Sequence, residues 1–182
     1  MTRAFVVALL GAESTGKTTL ARSLGAALAA RGDRVVVVDE YLREFCSAEG
    51  RTPRREEQRA IAAEQSRRIE AAAAEAEVVV ADTTALMIAV YSEIVFGDTS
   101  LHAEAEAAHR RCDLTLLTAL DLPWLADGLQ RDGPHVRAPV DQCVQAALGR
   151  AGIGFVRVGG VGNARLEQAL RAIDAARGAG PA

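Results

Sequence analysis

AFVVALLGAESTGKTTL, residues 4–20, opens with an unbroken apolar run, turns at Gly11, and resumes after Gly16 as a helix-forming segment. An apolar run closed by glycine predicts a central strand of a parallel sheet, buried on both faces. From Gly11 to Thr18 the chain satisfies G-x-x-x-x-G-K-[ST] at every fixed position, between strand and helix as the motif requires. Glycine lets the backbone wind closely around an anion because no Cβ intrudes. Successive N–H groups and the positive helix end then cradle phosphate. Gly11, Glu13, Ser14, Thr15, Gly16, Lys17, Thr18 and Thr19 are therefore the expected nucleotide-binding residues. Lys17 would neutralise the β- and γ-phosphates of ATP, and the Thr18 hydroxyl would bind Mg2+. Lys17 is the only lysine among 21 basic residues, so an ammonium is kept at the one position where the motif needs it.

Working outward, helix is predicted from Lys17 to Ala30, broken by Gly32, then a second buried strand over Val35–Val38 ending in Asp39 and Glu40. Thr52-Pro53 reads as an N-cap and first helical position, opening an Ala/Glu/Arg-rich helix that runs to Glu77. Val78–Ala81 is a third strand closing on Asp82, followed by a helix over 84–96 stopped by Gly97 and a short helix over 101–110. Leu114–Thr118 is the fourth strand, 121–137 a Gly/Pro-punctuated loop, 139–150 a helix, 154–158 the fifth strand and 163–176 the last helix. Strands alternating with helices predict an α/β architecture of three layers. The expectation is a P-loop kinase fold: a five-stranded parallel sheet of order 2-3-1-4-5, helices on both faces and a short lid. One domain is expected over 1–177, with a tail at 178–182.

The bulk properties narrow the classes. The net charge of −3 argues against general nucleic-acid affinity. No apolar run approaches the roughly 18–20 residues of a membrane-spanning helix, and the start carries no secretory pattern. A cytoplasmic protein is expected. Cys46, Cys112 and Cys143 are odd in number, without C-x-x-C pairing, and read as inert thiols of a reducing compartment. A guanine-specific N/T-K-x-D motif is impossible with one lysine, and the chain is short for the extra subdomains of ring-forming ATPases.

The candidate chemistry lies at strand ends. Asp82 closes an apolar strand, where it would meet Mg2+. Asp39 and Glu40 close strand two across the crevice, and one of them would accept the proton of an attacking hydroxyl. In the 121–137 loop, Arg131 and Arg137 would close over the phosphates. Trp124 is either a loop anchor or a substrate-stacking ring. The arginines and glutamates between 51 and 70 read as an ion-paired, solvated helix face. His102, His109 and His135 have no ligand spacing and receive no role.

With these segments in view, the chain resembles the kinase domain of bacterial nicotinamide riboside kinases in the bifunctional nicotinamide-nucleotide adenylyltransferase/regulator family. The resemblance covers most of the chain and rests on GAESTGKTTL (11–20), EYLREF (40–45), ADTTALMIAVYSEIVFG (81–97) and LLTALDLPWLADGL (116–129). E-Y-x-R-E combined with P-W-x-x-D-G-L is its most specific part. The resemblance implies ATP-dependent phosphorylation of a riboside 5′-hydroxyl, a small-molecule partner, and Tyr41, Arg43, Asp82, Trp124 and Asp127 around the substrate. Four features depart from the family pattern. No H-x-G-H motif occurs, which implies a free-standing kinase module. Gln130 stands where the family tends to have arginine, with Arg131 one place later. Asp82-Thr83-Thr84 replaces D-T-D, and Asp39 replaces an aromatic residue. Two other readings remain: an ATP-binding regulatory module without phosphotransfer, and a nucleoside or polynucleotide 5′-hydroxyl kinase.

Overall fold

The computed structural model describes residues 3–125 and 133–178. Its elements run β1 Phe5–Leu10, α1 Lys17–Ala30, β2 Val35–Val38, α2 Tyr41–Glu49, a 3-10 turn Arg55–Glu57, α3 Gln58–Glu75, β3 Val78–Asp82, α4 Ala85–Phe96 and α5 His102–His109. They continue with β4 Leu114–Thr118, a second 3-10 turn Pro134–Val136, α6 Arg137–Ala151, β5 Val156–Val158 and α7 Gly162–Gly178. The strands form one parallel sheet in the order β2-β3-β1-β4-β5, as expected. β1 pairs with β3 from Phe5 opposite Val78 to Leu9 opposite Asp82, and with β4 from Val7 opposite Leu114 to Leu10 opposite Leu117.

The pleat divides the apolar runs between two faces. Val7 and Leu9 join Val78, Val80 and Leu116 against Leu20, Leu24 and Leu28 of α1 and Ala169 and Ile173 of α7. On the opposite face Leu10 and Leu117 pack with α3, α4 and α6 through Ile61, Leu86, Met87, Ile88, Val144 and Leu148. Helix α4 is buried almost all round from Ala85 to Val90, which is why it is apolar on every side rather than along a stripe. Truncating a fully buried leucine there, such as Leu86, would cost about 2–5 kcal/mol.

Three expectations are corrected. Val35, Val36 and Val37 of β2, expected to be buried, are only half-buried, because β2 stands at the sheet edge where the expected strand order placed it. Residues 41–49, a polar segment to which the sequence assigns no element, form α2; it ends on Gly50 at φ 65°, a left-handed conformation glycine takes without strain. Thr52-Pro53 does not open α3. The first turn forms instead at Arg55, where the Glu57 carboxylate accepts the Arg54 N–H (2.7 Å) and both Arg51 Nη groups (2.7 Å each).

Candidate active site

All strands point their carboxyl ends to one edge, so the β1–α1 loop, the β2–α2 junction and the end of β3 converge there. Gly11 has φ 150°, and a Cβ on it would sit 1.9 Å from Thr118 Oγ1. The Thr118 hydroxyl reaches the Leu10 carbonyl (3.2 Å) and donates to Thr15 Oγ1 (2.7 Å), which in turn donates to the Ala12 carbonyl (2.7 Å). The Thr15 side chain is wholly buried as a prop of the loop, so it can serve phosphate only through its backbone. Lys17 Nζ lies across the loop, donating to the carbonyls of Gly11 (2.9 Å) and Ala12 (3.0 Å). Ser14, at φ 54°, donates its hydroxyl to the Leu125 carbonyl (3.0 Å) and accepts from the Leu125 N–H (2.8 Å). Thr19 is exposed on α1.

The Thr18 hydroxyl donates to Asp82 Oδ2 at 2.5 Å. Asp82 is 1% exposed, and its Oδ1 has no partner among the described residues. A hydroxyl and one carboxylate are the sparse protein donors that Mg2+ takes, its other positions going to water and phosphate oxygens. These residues therefore fit an ion carried in with a nucleotide. Thr83, next in the chain, holds φ 82° while buried, a backbone conformation costing about 1–3 kcal/mol and concentrated at functional sites.

Across the crevice the two carboxylates separate. Asp39 is exposed, whereas the Glu40 side chain keeps only 11% of its surface. Burial pushes the Glu40 carboxyl above the ordinary range; Lys17 opposes this, Asp82 adds to it, and Arg43, 3.6 Å away, opposes it again. Glu13, Ser14, Lys17, Glu40, Arg43, Tyr91 and Leu125 line one small polar cleft. Tyr91 lines this cleft and Tyr41 does not. The Tyr41 ring is packed instead under the Arg68 guanidinium, 4.4 Å from it. A larger apolar cavity, about 290 Å³, lies beside α3 and α5 and reaches Arg3 and Cys112. It holds none of the phosphate-loop residues and is set aside as the reaction site.

Trp124 is half-buried in the segment that Ser14 holds. Arg137, expected over the phosphates, is 7% exposed at the start of α6 and donates to the Leu122 carbonyl (2.9 Å). Arg131 and Asp127, with Gln130, lie outside the described residues.

Two buried side chains escaped the sequence reading. Gln65 of α3 is fully buried; its Oε1 accepts the Tyr41 N–H (2.8 Å), and its Nε2 faces the carbonyls of Asp39 and Thr83 (3.4 Å each). It thus brackets the backbone on both sides of Glu40. The available signal was spacing: Gln65 follows buried Ile61 and Ala62 by four and three positions, on the helix's inner face. His109 lies between Thr84 Oγ1 and Thr115 Oγ1, 2.8 Å from each, so it is a core histidine with two partners. His102 is likewise partnered, by Glu93 at 2.6 Å and Arg150 at 3.3 Å.

Among the described residues no helix is long and apolar enough to cross a membrane. None of the curated protein sequences matches the chain significantly. Solved structures share its fold at low identity. The NadR protein in complex with NR superposes with a TM-score of 0.78 at 19% identity over 96% of this chain. This chain spans about half (51%) of that one. Thymidylate kinase from Ehrlichia chaffeensis gives 0.66 at 12% identity, over 96% of this chain and 99% of the kinase. The architecture is therefore that of P-loop kinases. Residues 6–165 match the family described as AAA domain, and the chain belongs to that family.

Proposed function

We propose that this chain transfers the γ-phosphoryl group of ATP to the 5′-hydroxyl of a riboside, nicotinamide riboside in the first instance. The observation that carries the reading is Glu40: a nearly covered carboxylate sharing one cleft with Lys17, opposite the Thr18–Asp82 pair. In the transfer, the acceptor oxygen bonds to the γ-phosphorus as the bond from that phosphorus to the β,γ-bridging oxygen breaks. The hydroxyl proton passes to Glu40, and ADP leaves with the bonding electrons. The loop N–H groups and Lys17 hold the phosphates in line with the acceptor. Mg2+, held by Thr18 and Asp82, would screen the phosphate charge. Arg43 and Tyr91 face the acceptor from the other wall, and Asp39 is left to the cleft's outer rim. The riboside choice is supported by the sequence resemblance and by the likeness to a protein whose structure contains NR.

The test is a panel of acceptors with Mg-ATP: nicotinamide riboside, other ribosides, deoxyribosides and a 5′-hydroxyl oligonucleotide, with ADP release and product mass measured. Nicotinamide riboside should gain one phosphate. Turnover of a different riboside alone would redirect the substrate assignment within the kinase class. No turnover on any acceptor, with tight Mg-ATP binding intact, would overturn the kinase reading in favour of an ATP-binding module.

A further inference from the structure

Arg165, in the first turns of α7, lies 150 residues from the phosphate loop in sequence and against it in space. It is 4% exposed. Its Nη1 donates to the Thr15 carbonyl at 2.5 Å, and its Nη2 to Asp121 Oδ1 at 2.8 Å. Asp121 is held in turn, its Oδ2 accepting the Gly160 N–H at 2.5 Å. A Cβ on Gly16 would meet Arg165 Nη1 at 3.0 Å and Leu122 Cδ1 at 2.9 Å, so the guanidinium packs directly on the loop. Partial burial pushes the Asp121 carboxyl upward, but the Gly160 N–H and Arg165 outweigh it and hold it below the ordinary range. Asp121 therefore stays ionised at neutral pH.

A trans peptide is planar, with its C=O and N–H pointing in opposite directions. Fixing the Thr15 carbonyl toward Arg165 therefore fixes the Gly16 N–H away from it. Gly16 is the N-cap of α1 at φ 76°, where its N–H is one of the helix-terminal donors that face an anion. Without an acceptor-side anchor, a glycine peptide in that region can rotate at little steric cost. The geometry of the cradle would then have to be assembled at each binding event.

We infer that Arg165, oriented by Asp121, is a positioning residue that presets the phosphate cradle by clamping the Thr15–Gly16 peptide, making nucleotide affinity depend on the β4 and β5 loop ends. The inference rests on the nucleotide-binding reading of the same loop and needs no assumption about the acceptor.

Mg-ATP and Mg-ADP dissociation constants would be measured by calorimetry for the intact chain and for R165M, R165K and D121N, with folding checked by circular dichroism and thermal melting. A charge-assisted hydrogen bond is worth about 1.5–3 kcal/mol, so R165M should weaken Mg-ATP binding roughly 10- to 100-fold. R165K, able to donate to Thr15 but lacking the planar fork, should recover part of that loss. D121N, which keeps the side chain's shape, should fall between R165K and the intact chain. It also provides the test should R165M not fold. The acceptor KM, measured at saturating ATP, should stay within about twofold of the intact chain in every folded variant, since the clamp acts on the cradle. Native-like folding with nucleotide affinities within twofold of the intact chain in R165M, or in D121N if R165M does not fold, would overturn the clamp. So would equal losses in R165M and R165K, because a role in packing alone predicts no rescue by charge. If the intact chain binds no Mg-ATP at all, the nucleotide-site reading itself falls, an outcome distinct from either.

Discussion

Glu40 and Asp39 are neighbours in sequence, yet one is nearly covered and the other exposed. Covering a carboxylate favours its neutral form, so Glu40 becomes a better proton acceptor and at the same time a burden on the fold. Glu40→Gln should lower kcat about 10²–10⁴-fold, the usual range for a positioned base, with little change in ATP affinity. Asp39→Asn should do much less. The sign of the stability change follows from linkage. With its folded value raised, Glu40 binds a proton more readily in the native state than in the unfolded one, so its ionisation removes stability as pH climbs through that interval. Above it, the glutamine variant should melt at a higher temperature than the parent, and kcat of the parent should rise with pH along the same interval. A variant that melts lower at pH 8, or an activity profile flat from acid to neutral, would contradict the burial of this side chain.

Elements act here through the ends they present. Helix α2 begins immediately after Glu40, and its first N–H is taken by Gln65 of α3. Glu40, the proposed base, is thus placed by a helix-to-helix bracket. Glu64 on the same helix meanwhile pairs outward with Arg67 and Arg68 (2.7 and 2.8 Å), as a solvated face does. Gln65→Leu keeps comparable volume but leaves the Tyr41 N–H and Asp39 carbonyl without that partner, at a cost of about 1–3 kcal/mol. Gln65→Glu retains the acceptor for Tyr41. Activity should therefore fall in the order parent, Gln65→Glu, Gln65→Leu, with kcat more affected than KM for ATP. Measuring both constants in the two variants checks this; full kcat in the leucine variant would remove the bracket from the account of the site.

At the scale of the whole molecule, His109 ties the cap of α4 to β4 from the end of α5. Burial holds its imidazole down to about 4, against about 6.5 for an unfolded histidine. Between those values the unfolded chain binds a proton that the folded chain refuses. Stability therefore declines as pH falls below about 6.5, by about 3 kcal/mol once pH 4 is reached. Urea midpoints at several pH values should show a steeper acid decline for the parent than for His109→Gln. Parallel curves would mean that the histidine titrates normally. Protonation leaves no ring nitrogen to accept, so the threonine hydroxyl that donates to the neutral imidazole would have to turn and accept instead.

Much of this protein was written locally. The apolar run 4–10, the glycines at 11 and 16, and the valines of 35–38 and 78–80 are short-range signals, and β1, β2, β3 and α1 lie where those signals put them; β5, expected over 154–158, is confined to Val156–Val158. The phosphate motif also named Thr18, and a strand-ending aspartate named its partner, because both positions are defined by the element they terminate. Tertiary structure decided what depends on neighbours distant in the chain. Four valines in β2 read like a strand buried on both faces; at the sheet edge, with a neighbour on one side alone, three of them are only half-buried. Residues 41–49 include good helix formers in Leu42, Arg43, Glu44, Ala48 and Glu49, but so short a helix is marginal alone; it holds because Leu42 and Cys46 pack on the core and Gln65 takes the first N–H. Asp39 and Glu40 carry the same signal as strand-ending carboxylates, the resemblance favouring Glu40, and burial separates them physically. Gln65, His109 and Arg165 carried no motif, since a buried polar side chain is defined by the partner that satisfies it. Their partners lie 24, 25 and 150 residues away, distances that only the packed sheet and its helices bring to hydrogen-bonding range.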